Sequence, residues 1–111
     1  MSDSPARELF ELGAFTFDGG VTLPDAKLAY VTYGELSAAR DNVVVFPTWW
    51  GGTEADFSWL IGGDGIDTSE YFVIVPHLFG NGISSSPSNT PAPFDRGRFP
   101  KHTVADNVRA Q

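Results

Sequence analysis

Two stretches of this chain hold residue types that could do covalent chemistry. Gly82-Ile83-Ser84-Ser85-Ser86 sets three hydroxyls in a row, and His77 and His102 lie on either side of it. A serine activated by a histidine attacks acyl carbonyls, which makes this pairing the first to weigh. The nucleophile elbow Gly-x-Ser-x-Gly, however, needs glycine where Ser86 stands, and it needs a strand before it and a helix after it. The run therefore reads as a Ser/Pro surface or cleft-lining loop. Neither histidine has a carboxylate at a defined spacing, so both read as hydrogen-bonded structural residues. Asp64, Asp67 and Glu70 do not match the spacing of a calcium loop and read as a solvated acidic connection. Gly80-Asn81-Gly82 lacks the Gly-Lys-Ser/Thr of a phosphate loop and reads as a backbone turn. The second stretch, Trp49-Trp50-Gly51-Gly52, follows an apolar run. Its glycines let the backbone turn sharply or approach a ligand closely, while its tryptophans have a plain alternative as core or lid aromatics at a strand end.

The elements that must position these residues are those of an α/β unit. Leu9 to Phe17 and Lys27 to Tyr33 carry β-type residues, punctuated by Asp18-Gly19-Gly20 and by Pro24-Asp25, and predict an antiparallel pair. Glu35 to Asn42 predicts a short helical turn. Val43 to Phe46 and Tyr71 to Pro76 are continuous apolar runs of the kind that form strands buried on both faces. Between them, Thr53 to Ile61 predicts a short helix capped by Thr53 and closed by Gly62-Gly63. Strands joined through a helix-bearing connection favour parallel pairing. His77 to His102 is rich in Gly, Pro, Ser and Asn and has no sustained period. It follows the carboxyl end of a strand, where ligands collect in open α/β sheets. Thr103 with Asp106 predicts a capping box, and Val104, Ala105 and Val108 an apolar helical stripe beyond it.

Composition narrows the classes. At 111 residues the chain is of single-domain size. Its 14 acidic residues against 7 basic ones give a formal charge of -7, which disfavours nucleic acid and anionic membrane surfaces as partners. The absence of cysteine removes disulfides, thiolate metal sites and a cysteine nucleophile. Two histidines without a carboxylate cluster give no metal site, and no residue pattern asks for a cofactor. The opening Met1 to Gly13 has neither a signal-peptide core nor a bilayer-length run, so the expected location is cytoplasmic.

Three separated patterns then converge. Thr22 to Gly52 ("TLPDAKLAYVTYGELSAARDNVVVFPTWWGG"), Ile66 to Pro87 ("IDTSEYFVIVPHLFGNGISSSP") and Phe99 to Gln111 ("FPKHTVADNVRAQ") occur in this order. Together they resemble the N-terminal part of the homoserine O-acetyltransferase family of α/β-hydrolase-fold acyltransferases and esterases. The resemblance implies a mixed sheet with an antiparallel start and parallel later strands, forming the N-terminal segment of one hydrolase domain across residues 1–111. It implies that the loop after the third strand gives one oxyanion-hole donor, the backbone N–H of Trp49. It implies further that Trp50 and Gly51 line the acyl pocket and that the turn at Asn81 borders it. Pro47-Thr48-Trp49-Trp50-Gly51 replaces a His-Ala-Leu-Thr-Gly-like run, and Leu78 to Gly82 replaces a double-glycine-cysteine pattern. Both changes lean towards an esterase or a differently specific acyltransferase.

In this family the nucleophile elbow follows the "VRAQ" helix, with the acid and the histidine later still. The expected enzyme is thus complete only with a C-terminal segment, supplied as a second chain, that carries Ser, Asp and His. It would act on an ester or acyl-CoA, and the assembled enzyme could form a homo-oligomer. The competing reading is a self-sufficient aromatic-lined binding module without catalysis. The helix that runs to Gln111 and the prospect of an open hydrophobic sheet edge favour the first reading.

Overall fold

The computed structural model describes residues 6–48, 59–62 and 65–111. Four strands form one sheet: β1 (Glu8–Thr16), β2 (Thr22–Tyr33), β3 (Val43–Val45) and β4 (Phe72–Pro76), in the spatial order β1-β2-β4-β3. β1 with β2 and β2 with β4 are antiparallel, and β3 with β4 is parallel. The antiparallel start and the later parallel pair match the mixed sheet expected of an α/β-hydrolase fold.

β2 begins earlier than its composition suggests, because Pro24-Asp25 lies within the strand. Register shifts in β1 around Gly13 set Leu23 opposite Phe15 and Ala26 opposite Gly13, so Pro24 and Asp25 fall at an irregularity. A proline there forfeits no ladder hydrogen bond. The hairpin closes at Asp18-Gly19-Gly20, where Gly20 has φ +92 and its N–H donates to Phe17 C=O at 2.8 Å.

Two apolar clusters hold the sheet. Phe15, Phe17, Leu23, Ala26 and Leu28 of the hairpin enclose Phe79, with Ala110 closing one side. The Phe17 and Phe79 rings meet at 5.2 Å, at an angle of 62°. On the sheet face of Val31, Val73 and Val75, the cover is Ile61, with Val44, Phe46 and Ile66 alongside. Most of the expected Thr53 to Ile61 helix lies outside the described residues. Its last member, Ile61, forms a parallel bridge with Ile66 and is not helical.

The patterns that carried the resemblance are staples at the amino ends of β3 and β4. Gly34 has φ +80, and a Cβ there would run into the carbonyl oxygens of Thr68 and Tyr71. Only glycine allows this close approach. The expected helical turn before β3 is a turn closed by Arg40 N–H to Ser37 C=O at 3.0 Å. Asn42 ties it down: its amide donates to Glu35 C=O at 3.0 Å and to Glu70 C=O at 2.9 Å, and its Oδ1 accepts from Ser37 N–H at 2.9 Å. Asp67 accepts from Ser69 N–H and Oγ at 2.9 and 2.7 Å, which holds its carboxyl below the usual range.

α1 (Val104–Ala110) opens with the expected capping box: Asp106 N–H donates to Thr103 Oγ1 at 3.1 Å, and Thr103 N–H to Asp106 Oδ2 at 2.9 Å. Its inward face corrects the expected apolar stripe. Val104 and Val108 are exposed, and Asp106, Asn107 and Ala110 are buried. The polar residues turn inward because they have backbone to bind. Asp106 accepts from Asp18 N–H at 2.8 Å and from Arg109 at 2.6 Å, and Asn107 accepts from Phe79 N–H at 2.9 Å. A second correction concerns β3. It is not buried on both faces, since Val43 is 42% and Val45 54% exposed. It lies at the end of the sheet order among the described strands, and these two valines share a face that is half exposed there.

Candidate functional site

The parallel ladder runs past β3 proper. Phe46 N–H donates to Ile74 C=O at 2.8 Å and Thr48 N–H to Pro76 C=O at 3.2 Å. Continuing the register that sets Val45 opposite Ile74 brings Thr48 level with His77 at the carboxyl edge of the sheet. Ligands of open α/β sheets gather at that edge. Trp49, Trp50 and Gly51 lie outside the described residues. What is visible is that Thr48 has already used its own N–H within the ladder, so it is not the free backbone donor of this loop. The Thr48 side chain is 4% exposed, and its Oγ1 is buried without a hydrogen-bond partner among the described residues.

His77 is fully buried at the end of β4, and its N–H donates to Ala29 C=O at 2.8 Å. Its ring Nδ1 lies 2.9 Å from Asn81 Nδ2. Asn81 Oδ1 accepts from Ile83 N–H at 2.9 Å and from Ser84 N–H at 3.2 Å, which fixes the orientation of the amide. Nδ2 must then donate, Nδ1 must accept, and His77 is held as the neutral imidazole. Asn81 thus builds the turn expected of Gly80-Asn81-Gly82, in which both glycines have positive φ, +81 and +91.

Of the two readings of the serine run, the surface one is corrected: Ser84, Ser85 and Ser86 are buried, and Ser85 borders a cleft. Ser84 Oγ accepts from Ala29 N–H at 2.8 Å and donates to His77 C=O at 2.8 Å. Ser85 Oγ accepts from Lys27 N–H at 2.7 Å, and Ser85 N–H donates to Lys27 C=O at 2.9 Å. Ser86 Oγ accepts from Gly82 N–H at 2.8 Å and donates to Ser84 C=O at 2.7 Å. The Ser84 and Ser85 hydroxyls extend the sheet where β2 outruns β4, and that of Ser86 braces the loop. A Ser84 whose proton goes to the His77 carbonyl is not an activated nucleophile. His102 is likewise structural, packed edge-on against Phe79 and Phe99 at 6.4 and 5.9 Å.

Comparison with known proteins agrees with this architecture. No protein-family model matches the chain. The ethyl acetate hydrolase of Pseudomonas veronii is 35% identical over 106 residues, covering 94% of this chain and 30% of that protein. The homoserine O-acetyltransferase of Leifsonia xyli is 36% identical over 129 residues, covering 95% and 30%. The crystal structure of an acetylester hydrolase from Corynebacterium glutamicum superposes with a TM-score of 0.90 at 34% identity, covering 95% of this chain and 31% of that one. The chain is related to esterases and homoserine O-acetyltransferases. It spans about 30% of the length of these two relatives, and its fold is the corresponding portion of an α/β-hydrolase. Among the described residues, no helix is long and apolar enough to cross a membrane.

Proposed function

We propose that residues 1–111 form the amino-terminal segment of a serine-dependent acyl-transfer enzyme, active in ester hydrolysis or O-acyl transfer to a hydroxyl, and completed by a segment that carries Ser, Asp and His. The substrate is an ester or acyl-CoA. The missing serine attacks the acyl carbonyl and forms an acyl-enzyme, while the C–O or C–S bond to the leaving group breaks and that group takes a proton from the histidine. Water or an acceptor hydroxyl then attacks the acyl-enzyme and releases acid or a new ester, restoring the serine. The role of this chain is to hold the oxyanion with the N–H of Trp49 and to wall the acyl pocket with Trp50, Gly51 and the Asn81 turn.

The observation that supports the reading is the position of Thr48. Its N–H makes the last ladder bond among the described residues, at the carboxyl edge of a fold shared with esterases, and Trp49 is the residue that follows it in sequence. The test joins this chain to a hydrolase segment bearing the nucleophile and follows cleavage of 4-nitrophenyl acetate. Gly51→Val, which disturbs the donor's backbone, is expected to lower kcat by about a hundredfold, the scale of losing an oxyanion donor. Trp50→Phe keeps an aromatic wall and is expected to stay within about tenfold. Equal losses would remove the oxyanion assignment.

A further inference from the structure

Of the four asparagines in the chain, Asn81 alone is followed by glycine. That pair carries a chemistry of its own. The backbone nitrogen after an asparagine can attack the side-chain amide carbon, and glycine, without a Cβ, leaves the approach unobstructed. Here the atoms that would react are bonded elsewhere. Gly82 N–H donates to the buried Ser86 Oγ at 2.8 Å, and that hydroxyl donates in turn to Ser84 C=O at 2.7 Å. Asn81 Oδ1 accepts from the N–H groups of Ile83 and Ser84, and Nδ2 lies 2.9 Å from His77 Nδ1. Ring closure removes the Gly82 proton and the Nδ2 amino group, so it must break the bonds to Ser86 and His77. The pair is also hard to replace. Gly82 has φ +91, a conformation that favours glycine, although a Cβ there would meet nothing within 4 Å. Asn81 supplies both the acceptor for two backbone donors and the donor to His77. The turn thus demands both members of a labile pair, and Gly82 is exposed to the water that would complete the reaction.

We propose that Asn81-Gly82 is a deamidation site held latent by its own loop, with the Ser86 hydroxyl as the restraint on the Gly82 nitrogen. When the loop opens, Gly82 N bonds to Asn81 Cγ, the Cγ–Nδ2 bond breaks, and the amino group leaves as ammonia with the proton that Gly82 gives up. Water then opens the succinimide. Attack at Cγ leaves aspartate at position 81, and attack at the backbone carbonyl carbon leaves isoaspartate, whose main chain runs through the side-chain carbons. The aspartate product has an acceptor oxygen where Nδ2 donated, so His77 Nδ1 must take up a proton to keep its partner. A neutral ring at the carboxyl edge becomes the donor to a carboxylate.

The 111-residue chain and a synthetic peptide of residues 77–87 are incubated side by side at mildly alkaline pH. The fragment holding positions 81 and 82 is followed by mass spectrometry for loss of ammonia and gain of water, with isoaspartate separated chromatographically. The peptide is expected to convert, and the chain to convert at least about tenfold more slowly, because its loop must open first. Ser86→Ala should speed the chain by about fivefold or more, the scale of one lost hydrogen bond, while Ser85→Ala, whose hydroxyl holds Lys27 instead, stays within about twofold. In Asn81→Asp, nitrogen NMR of the His77 ring should show a protonated Nδ1 where the parent shows a bare one. Conversion of the chain at the peptide's rate would overturn the proposal, as would a peptide that does not convert. Equal acceleration by the two serine variants would remove Ser86 as the restraint. The comparison with the peptide uses no variant, so it decides even where Ser86→Ala does not fold.

Discussion

Ser84 shows how a residue type can suggest one chemistry and serve another. Its hydroxyl is committed at both ends, accepting from Ala29 and donating to His77 C=O. In the joined enzyme, Ser84→Ala is expected to leave acyl-enzyme formation within about twofold of the parent, while denaturant unfolding shows a loss of about 1–3 kcal/mol from the stranded Ala29 N–H and His77 carbonyl. Loss of acyl-enzyme with unchanged stability would return Ser84 to the list of nucleophiles. The sequence excluded the elbow at Ser86 but not the burial of the run. Side-chain to backbone pairs across 55 residues leave no periodicity to read. Gly34 and Asn42 stood out only as members of a family pattern. Their physical work, a left-handed turn under two carbonyls and a three-way amide staple, required the fold to bring residues 34, 42 and 70 together.

At the scale of elements, α1 was legible at its start and misread along its side. The capping box needs only local spacing, whereas the buried face is decided by what lies opposite, here the Asp18 turn and the Phe79 N–H. Burial alone would push the Asp106 carboxyl up, but donors from Thr103, Asp18 and Arg109 outweigh it and hold the group below its ordinary 3.8. A depressed carboxyl contributes stability that is present above the unfolded value and lost as pH falls through the folded one. Unfolding followed against pH should therefore show the parent weakening at and below 3.8. Asp106→Asn should be less stable at neutral pH and show a shallower loss in acid. An identical acid slope in the two proteins would mean that this carboxylate does not anchor the helix. β3 carries a related lesson, since an apolar run looks the same whether its faces are covered or waiting to be covered.

For the whole molecule, the order of strands predicts an order of opening. β2 and β4 lie inside the sheet, and Val31, Val73 and Val75 are fully buried, while among the described strands β3 pairs with β4 only. Exchange on the 111-residue chain should be slowest at Val31, Val73 and Val75 and faster through β3 and the turn that precedes it. Uniform rates across the four strands would contradict a graded sheet. The β1–β2 and β3–β4 pairings, the hairpin, the helix start and the carboxyl-edge position of the loops were within reach of composition and motif, because each depends on local pattern or on strand connection, whereas the β2–β4 pairing that joins the two halves was not. Nor was the half-exposed face of β3, because it depends on what packs against it.

Gly34, Asn42 and Asp67 hold backbone at the amino ends of β3 and β4, and Thr103 with Asp106 pins α1 to the hairpin. A duplicated gene whose product had lost catalysis would still need every one of them to fold. A survey keyed to these positions would therefore report the fold and not the chemistry, because a site is grafted on a fold and is not implied by it.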